Sequence, residues 1–125
     1  MDSIDSLPLF PLSLVLYPGE QLTLHIFEDR YRALTAYCLE HEVPFGIVRT
    51  DGESWADVGT TARIEEVVKQ YDDGRSDIVV RGEERFQIDT VRDDQASYYT
   101  ADVALIEDEA PTGDRRRLSE LESKI

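Results

Sequence analysis

The sequence has very little cysteine, with Cys38 as the single thiol in 125 residues. One thiol excludes an intramolecular disulfide and any zinc or iron–sulfur site built from several cysteines. It also suits a protein of the reducing cytoplasm. A chain of this length can bury one continuous hydrophobic core without a disulfide or a structural metal, so we expect packing to hold the fold.

Positive charge is scarce as well. Lysine and arginine number 13 against 27 acidic residues, which gives a net charge of −14. A field of this sign repels polyanions and makes nucleic acid a poor partner. Lys69 and Lys124 are the two lysines. Abundant carboxylates with little lysine are typical of a high-salt cytoplasm, where salt screens the self-repulsion, so we interpret the acidic surface as halophilic.

Long hydrophobic runs are missing. The longest uncharged run, residues 6–19, holds 14 residues and three prolines, which is too short and too interrupted to span a bilayer. No lysine or arginine precedes Arg30, so the start lacks the basic region of a secretory signal. We expect no membrane partner and a cytoplasmic location.

Catalytic motifs are absent too. The seven glycines are scattered and no Gly-Lys-Ser or Gly-Lys-Thr occurs, so a phosphate-binding loop is not expected. His25 and His41 lie near no nucleophile-elbow motif and have no second histidine at ligand spacing. Cys38 shares a helical stripe with apolar residues and is interpreted as structural. We expect no catalytic residue, metal or cofactor, with a hydrolase that pairs a histidine with a carboxylate as the minor alternative.

The first half of the chain predicts a strand, a turn, a strand and a helix. Residues 7–12 are apolar but contain two prolines, which predicts an edge strand or an extended arm. Residues 17–19 (Tyr-Pro-Gly) predict a tight turn, and residues 20–27 alternate as a half-buried strand. Residues 28–41 place Tyr31, Leu34 and Cys38 on one helical face, which predicts an amphipathic helix.

The second half predicts further strands. These cover residues 43–50, 58–71, 76–82, 85–91 and 98–106, with a polar loop at 51–57. Glu65 and Glu66 interrupt the alternation, which indicates a bulge of the kind that curls a sheet into a barrel. Asp73-Gly74 predicts a hairpin turn. The fold class is therefore α+β, mainly β.

The C-terminal residues differ in pattern from the strands. We expect a domain over residues 1–107, a linker at 108–113 and the start of a short C-terminal helix at 114–125. That helix alone is marginal in water, so we expect it to dock on a neighbour or to continue beyond Ile125 in the native protein.

Three aromatic residues are candidates for recognising a partner, because interfaces are enriched in tyrosine and tryptophan. Trp55 lies in the predicted polar loop, and Tyr17 lies in the predicted turn. Tyr98 alternates with Tyr99, Ala101 and Val103, which we expect to point inward, so Tyr98 is expected to point outward. The alternative is that a loop aromatic folds onto its own barrel.

Several motifs together resemble the amino-terminal substrate-binding domain of Lon proteases, in its stand-alone form. They are the LPLFPL string at residues 7–12, the YPG turn at 17–19, LHIFE with RY at 24–31, VGTTARI at 58–64 and VRGEERFQI at 80–88. The resemblance covers about residues 6–107. It implies a PUA-like mixed β-barrel around one helix and assigns these residues to the fold, with no catalytic role.

The resemblance implies a non-catalytic module that binds unfolded or specific polypeptides. The ATPase and Ser-Lys peptidase modules of Lon cannot fit in 125 residues, so a classification as a Lon (S16) peptidase would describe the family and not an activity. PUA-like folds in other families bind RNA, and Arg75, Arg81 and Arg85 are the residues expected to cluster in that alternative. The oligomeric state is left open.

Overall fold

The computed structural model describes residues 2–93 and 96–106, and within them six strands and one helix follow the predicted order. The elements are β1 (Ser3–Leu12), β2 (Gln21–Ile26), α1 (Asp29–His41), β3 (Phe45–Thr50), β4 (Trp55–Gln70), β5 (Ser76–Arg92) and β6 (Thr100–Ile106). The mainly-β class, with its helix after the second strand, is confirmed.

The sheet closes on itself through β5. One side of β5 pairs with β4, while its other side pairs first with β2 over residues 76–81 and then with β6 over residues 85–92. Since β6 also pairs with β1, β1 with β3 and β3 with β4, these strands form a ring. The β1–β3 pair is parallel and the other pairs are antiparallel. The mixed barrel predicted from the sequence is therefore the architecture of this chain.

The expectation that β1 is an edge strand or an extended arm is wrong. Residues 3–8 pair with β6 and residues 9–12 pair with β3, so the strand changes partner near Pro8 instead of ending the sheet. The change of partner accommodates proline, which has no backbone N–H to donate, because a residue that pairs with only one neighbouring strand needs fewer backbone hydrogen bonds. Leu9 points into the barrel, whereas Phe10 stacks on Tyr31 of the helix with ring centroids 4.1 Å apart.

The two strands predicted at residues 76–82 and 85–91 form one continuous strand, β5. Gly82, between the two predicted strands, lies within the ladder where the loop after β1 crosses close to it. A Cβ atom at Gly82 would stand 2.6 Å from the carbonyl oxygen of Tyr17. The glycine is required by this close approach of two backbones.

Two clusters form the hydrophobic core. The barrel cluster is Leu7, Leu9, Val48, Phe86, Ala101 and Val103. The second cluster lies between α1 and the sheet and includes Leu34 and Cys38 of the helix. Cys38 is 3% exposed, and burial raises the pKa of its thiol to about 12, with the charge of Arg63 acting in the opposite direction. Its structural interpretation is confirmed, because such a thiol is not ionised near neutral pH.

Local predictions between β3 and β5 hold with one correction. The register of β4 shifts between Ile64 and Glu66, as the bulge required. Gly74 has a φ of 95° and closes the predicted hairpin. The loop predicted at residues 51–57 is shorter, because β4 begins at Trp55 and the Asp51 carboxylate accepts bonds from the Glu53 and Ser54 N–H groups.

The linker predicted at 108–113 and the helix predicted at 114–125 lie outside the described residues, and the domain boundary at 107 stays a prediction. In the described ranges, no helix is long and apolar enough to cross a membrane.

Candidate functional site

Two clefts on opposite parts of the sheet are candidates for a binding site. The first, the helix–hairpin cleft, lies between α1 and the β4–β5 hairpin, has a volume of about 290 Å³ and is lined by Arg32, Thr35, Leu39, Tyr71 and Arg75 among others. The second, the Tyr17 groove, has a volume of about 170 Å³. Its lining includes residues 14–17, which we call its wall, the less exposed Ile47, Val58 and Thr60, and the exposed Arg49 and Arg85, which we call its rim.

The wall of the Tyr17 groove is unusually apolar for a surface loop. Leu14, Val15 and Tyr17 are 37%, 50% and 59% exposed, whereas Leu16 between them is 4% exposed and belongs to the core. Three of the eight large exposed apolar side chains in the described residues therefore come from four consecutive positions. Scattered exposed apolar residues need no explanation, whereas a contiguous group makes this loop a candidate for an interaction surface.

Hydrogen bonds to two strands hold this loop in place. The buried hydroxyl of Thr60 in β4 donates to the carbonyl of Leu16 at 2.6 Å. The N–H of Gly82 in β5 donates to the carbonyl of Glu20 at 2.9 Å. The N–H of Gly19 donates to the carbonyl of Gly82 at 2.8 Å. A bond from the Glu20 N–H to the Tyr17 carbonyl, at 3.0 Å, closes the predicted turn.

The exposed apolar side chains therefore project from a fixed backbone. A ligand that covers them does not have to order the loop first, and avoiding that ordering cost favours affinity.

The rim of the Tyr17 groove is positively charged. Arg49 and Arg85 line it, and none of its described lining residues is acidic. The register of β3 against β4 shifts between Val48 and Thr50, at the position that contributes Arg49. Irregularities of this kind re-aim a side chain at the edge of a sheet.

Of the three predicted recognition residues, Tyr17 lines the groove, whereas Trp55 does not and directly precedes the lining residue Ala56. Trp55 is half-buried at the start of β4 and packs edge-on against Tyr99, with ring centroids 4.8 Å apart. Its ring is thus folded onto the barrel, which is the alternative named for a loop aromatic. A role for Tyr17 or Trp55 in partner binding stays a prediction.

The expectation that Tyr98 points outward is wrong. Tyr98 is 9% exposed, belongs to the core cluster beneath α1 and lies with its ring centroid 6.3 Å from that of Tyr37. Inward and outward positions do not alternate here, because both faces are buried at this end of the sheet. Thr100 and Ala101 are 5% and 0% exposed. Burial also raises the pKa of the Tyr98 hydroxyl.

The sequence reasoning missed Leu14, Val15 and Arg49. The available signal was the uncharged run of residues 6–19, which extends well past the end of β1 at Leu12. Apolar residues that continue beyond a strand and into a turn have no place in the ladder, so they either cap the core or remain exposed.

His25 is joined to a carboxylate, as the hydrolase alternative required, but outside both clefts. Its Nδ1 lies 2.6 Å from Oδ1 of Asp77, its directly opposite residue in the β2–β5 ladder, and the Tyr71 hydroxyl donates to Oδ2 of Asp77 at 2.9 Å. The His25 and Tyr71 bonds lower the pKa of Asp77. Neither His25 nor Asp77 lines a described cleft, so the geometry is that of a cross-strand pair that stabilises the sheet.

The arginines expected to cluster in an RNA-binding alternative do not form one free basic surface. Arg75 is paired with Asp73 at 2.8 Å and Arg81 with Glu65 at 2.7 Å. Metal ligands are not gathered either, since the described part of the chain has no group of three or more His, Cys, Asp or Glu side chains arranged to hold an ion.

Solved structures with the same fold come from Lon proteins. A Lon N-terminal domain protein from Xanthomonas campestris is 35% identical with a TM-score of 0.73, and the match covers 83% of this chain and 61% of that one. The N-terminal domain of a Mycobacterium avium complex Lon protease is 21% identical with a TM-score of 0.66, covers 82% of this chain and 55% of that one, and supports the fold alone. This chain thus spans roughly three-fifths of the length of these structures.

The family model for the ATP-dependent protease La (LON) substrate-binding domain matches residues 6–125. This range contains β2–β6, most of β1, and every residue that lines the Tyr17 groove. The chain belongs to the LON substrate-binding domain family.

Proposed function

We propose that this chain is a non-catalytic polypeptide-binding module and that it holds exposed apolar segments of its partner in the Tyr17 groove. The observation that carries the proposal is the anchored loop that presents Leu14, Val15 and Tyr17 to solvent. Burying these side chains against a partner removes apolar surface from water and stabilises the complex. The family name, a substrate-binding domain of a protease, supports the same role.

The size of the groove supports a side chain as its occupant. Pockets for drug-sized ligands have volumes of about 300–1,000 Å³, whereas this groove has about 170 Å³. One or two apolar side chains of an extended segment fit such a space, with the rest of the segment lying along the rim. The proposal includes a cytoplasmic location, and the halophilic interpretation of the net charge of −14 stays a prediction.

A binding measurement with paired variants tests this proposal. A reduced, alkylated and fluorescently labelled polypeptide, which cannot refold, is titrated with the full chain and followed by anisotropy. We expect Leu14→Ser/Val15→Ser to weaken binding on the order of tenfold or more, since each lost apolar contact contributes about 1 kcal/mol.

The matched control is Leu39→Ser/Val68→Ser, because these side chains are 43% and 56% exposed but lie outside the groove. We expect its affinity to match that of the unmodified chain. Equal weakening by the two double variants, no binding at all, or cleavage of the labelled polypeptide by the purified chain would contradict the proposal.

A further inference from the structure

The arginines of the described residues divide into two groups. Most are already held by this chain: five of them are in ion pairs, and Arg30 lies over the Tyr99 ring at 5.2 Å. The ion pairs are Arg32–Asp29, Arg63–Glu83, Arg75–Asp73, Arg81–Glu65 and Arg92–Asp102.

Arg49 and Arg85 form the second group. Both are exposed, both line the Tyr17 groove, and neither is in an ion pair with a described residue. The charge of Arg49 also acts on Asp51, whose pKa is lowered first by the backbone N–H groups of Ser54 and Glu53 and last by Arg49. Among the described residues, two arginines without a carboxylate in ion-pair contact at the same groove are a distinctive feature of so acidic a chain.

We propose that the segment bound in the Tyr17 groove is an acidic–apolar peptide, in which an aspartate or glutamate lies next to the apolar side chain that fills the groove. The planar guanidinium group matches a carboxylate through two parallel hydrogen bonds, so Arg49 and Arg85 select for that charge. The inference rests on the proposed function and names the class of segment that this site prefers.

The net charge of the chain favours a peptide over a nucleic acid as the source of the anion. A polyanion meets the field of all the surface carboxylates, which sums to −14 over the chain. A peptide with one or two carboxylates meets mainly the charges nearest to it. At about 0.15 M salt the Debye length is about 8 Å, so distant carboxylates are screened while a contact pair with an arginine persists.

Three capped peptides of identical length test the preference. They carry the same leucines, and the residues beside the leucines are aspartate in the first peptide, asparagine in the second and lysine in the third. Binding to the full chain is measured by anisotropy at about 0.15 M KCl. We expect the aspartate peptide to bind about tenfold more tightly than the asparagine peptide, and the lysine peptide to bind most weakly.

Two double variants locate the preference. Arg49→Gln/Arg85→Gln is expected to bind the aspartate and asparagine peptides equally. Arg63→Gln/Arg75→Gln removes the same charge from paired arginines outside the groove and is expected to keep the tenfold ratio. Urea unfolding of each variant verifies that it is folded.

The outcomes separate the two proposals. If the unmodified chain binds the aspartate and asparagine peptides equally, this inference is overturned while the proposed function stands. If no peptide binds and the unfolded polypeptide does not bind, the proposed function itself fails. Single-stranded RNA that displaces the aspartate peptide from the unmodified chain at equal concentration would assign the arginines to a nucleic acid and overturn the inference.

Two other occupants of the groove have their own signatures. Arg85 is opposite Ile106 in the sheet, and Glu107, Asp108 and Glu109 follow in the sequence. The variant Glu107→Gln/Asp108→Asn/Glu109→Gln tests whether this acidic run occupies the groove. If the variant binds the aspartate peptide and the unmodified chain does not, the groove is assigned to the acidic run. A dimer in sedimentation that is lost on Leu14→Ser/Val15→Ser would assign it to a second copy. Occupation of the groove by the acidic run, or by a second copy of the chain, would overturn the inference.

Discussion

The helix–hairpin cleft and the Tyr17 groove are each lined by two arginines, but the arginines differ in what they contact. In the larger cleft, Arg32 pairs with Asp29 and also donates to the backbone carbonyl of Asp73 at 2.8 Å, and Arg75 pairs with the Asp73 carboxylate. In the smaller groove, Arg49 and Arg85 have no ion-pair partner among the described residues.

Volume alone would select the helix–hairpin cleft, whereas the proposed function places the partner in the smaller Tyr17 groove. Arg32 holds the hairpin turn against the helix and Arg75 pairs within the hairpin, so a ligand would have to compete with carboxylates that are already in place. The arginines of the Tyr17 groove require no such exchange with a described residue. Under the proposed function, a partner that supplies both apolar surface and a carboxylate gains contacts there without breaking an ion pair in the described part of the chain.

The largest expected effect on stability and affinity comes from replacing Gly82, which lies against the loop of the Tyr17 groove. In Gly82→Ala the new Cβ would stand 2.6 Å from the Tyr17 carbonyl oxygen, so the loop of the groove has to move. We expect a loss of about 1–3 kcal/mol of unfolding free energy and a loss of polypeptide affinity on the order of tenfold. Urea unfolding and anisotropy measure the two effects.

Gly74→Ala is the matched change in the other region. Gly74 has a φ of 95°, and the nearest atom to its new Cβ is the flexible Nη1 of Arg32 at 2.9 Å. We expect a stability loss of about 1–2 kcal/mol from the left-handed backbone and unchanged affinity. An affinity loss with Gly74→Ala equal to that with Gly82→Ala would mean that general destabilisation, and not the loop, controls binding.

Two buried threonines sharpen the comparison. Thr60 donates its hydroxyl to Leu16 beneath the groove, whereas the Oγ1 atom of Thr35 in α1 has no hydrogen-bond partner among the described residues. Thr60→Val leaves the Leu16 carbonyl without its donor, and we expect a loss of about 1–3 kcal/mol. Thr35→Val removes an unsatisfied hydroxyl, and we expect stability to be unchanged or to rise by about 1 kcal/mol.

Chemical unfolding of the two variants under identical conditions measures this contrast. Equal losses for both threonines would show that the bond between Thr60 and Leu16 contributes nothing specific to the groove.

The smallest effect is a pH dependence that tests a paired arginine. The bond from Arg92, at 2.6 Å, and the Ser6 N–H hold the pKa of Asp102 at about 2, below its ordinary value of 3.8. A lowered pKa means that the folded state favours the ionised carboxylate. Its stabilising contribution is thus complete above pH 3.8 and is lost as the pH falls towards 2.

Asp102→Asn is expected to lower the melting temperature at neutral pH and to flatten its change between pH 4 and pH 2, approximately the interval between the two pKa values. Thermal melts across that interval measure the slope. An unchanged slope in Asp102→Asn would show that the Arg92 pair does not contribute to acid sensitivity.

Local chemistry in the sequence predicted much of the fold. The alternation of residues 21–26, the helical stripe through Leu34 and Cys38, and the Asp73-Gly74 turn each depend on neighbours in the chain, so each is visible without the structure. The bulge near Glu65 is visible for the same reason, because it interrupts a local pattern.

Features that depend on distant residues were not predictable in the same way. Gly82 looks like the end of a strand because the reason for it, the Tyr17 carbonyl, lies far away in the sequence. Tyr98 looks exposed in the sequence because alternation assumes that one face of the strand is in contact with solvent. In the structure the core cluster between α1 and the sheet covers that face.

The groove was partly predictable. Tyr17 was named because an aromatic residue in a turn is conspicuous. Leu14 and Val15 extend an apolar strand and their exposure depends on where the loop crosses β4 and β5. Arg49 and Arg85 are identified as a pair only once the carboxylates of the other arginines are located in three dimensions.

The most direct test of the account is a titration of the ¹⁵N-labelled full chain with the alkylated unfolded polypeptide, followed by amide chemical shifts. We expect the largest changes in chemical shift at residues 14–17, Arg49 and Arg85. Changes confined to the helix–hairpin cleft, around Leu39 and Tyr71, would contradict it.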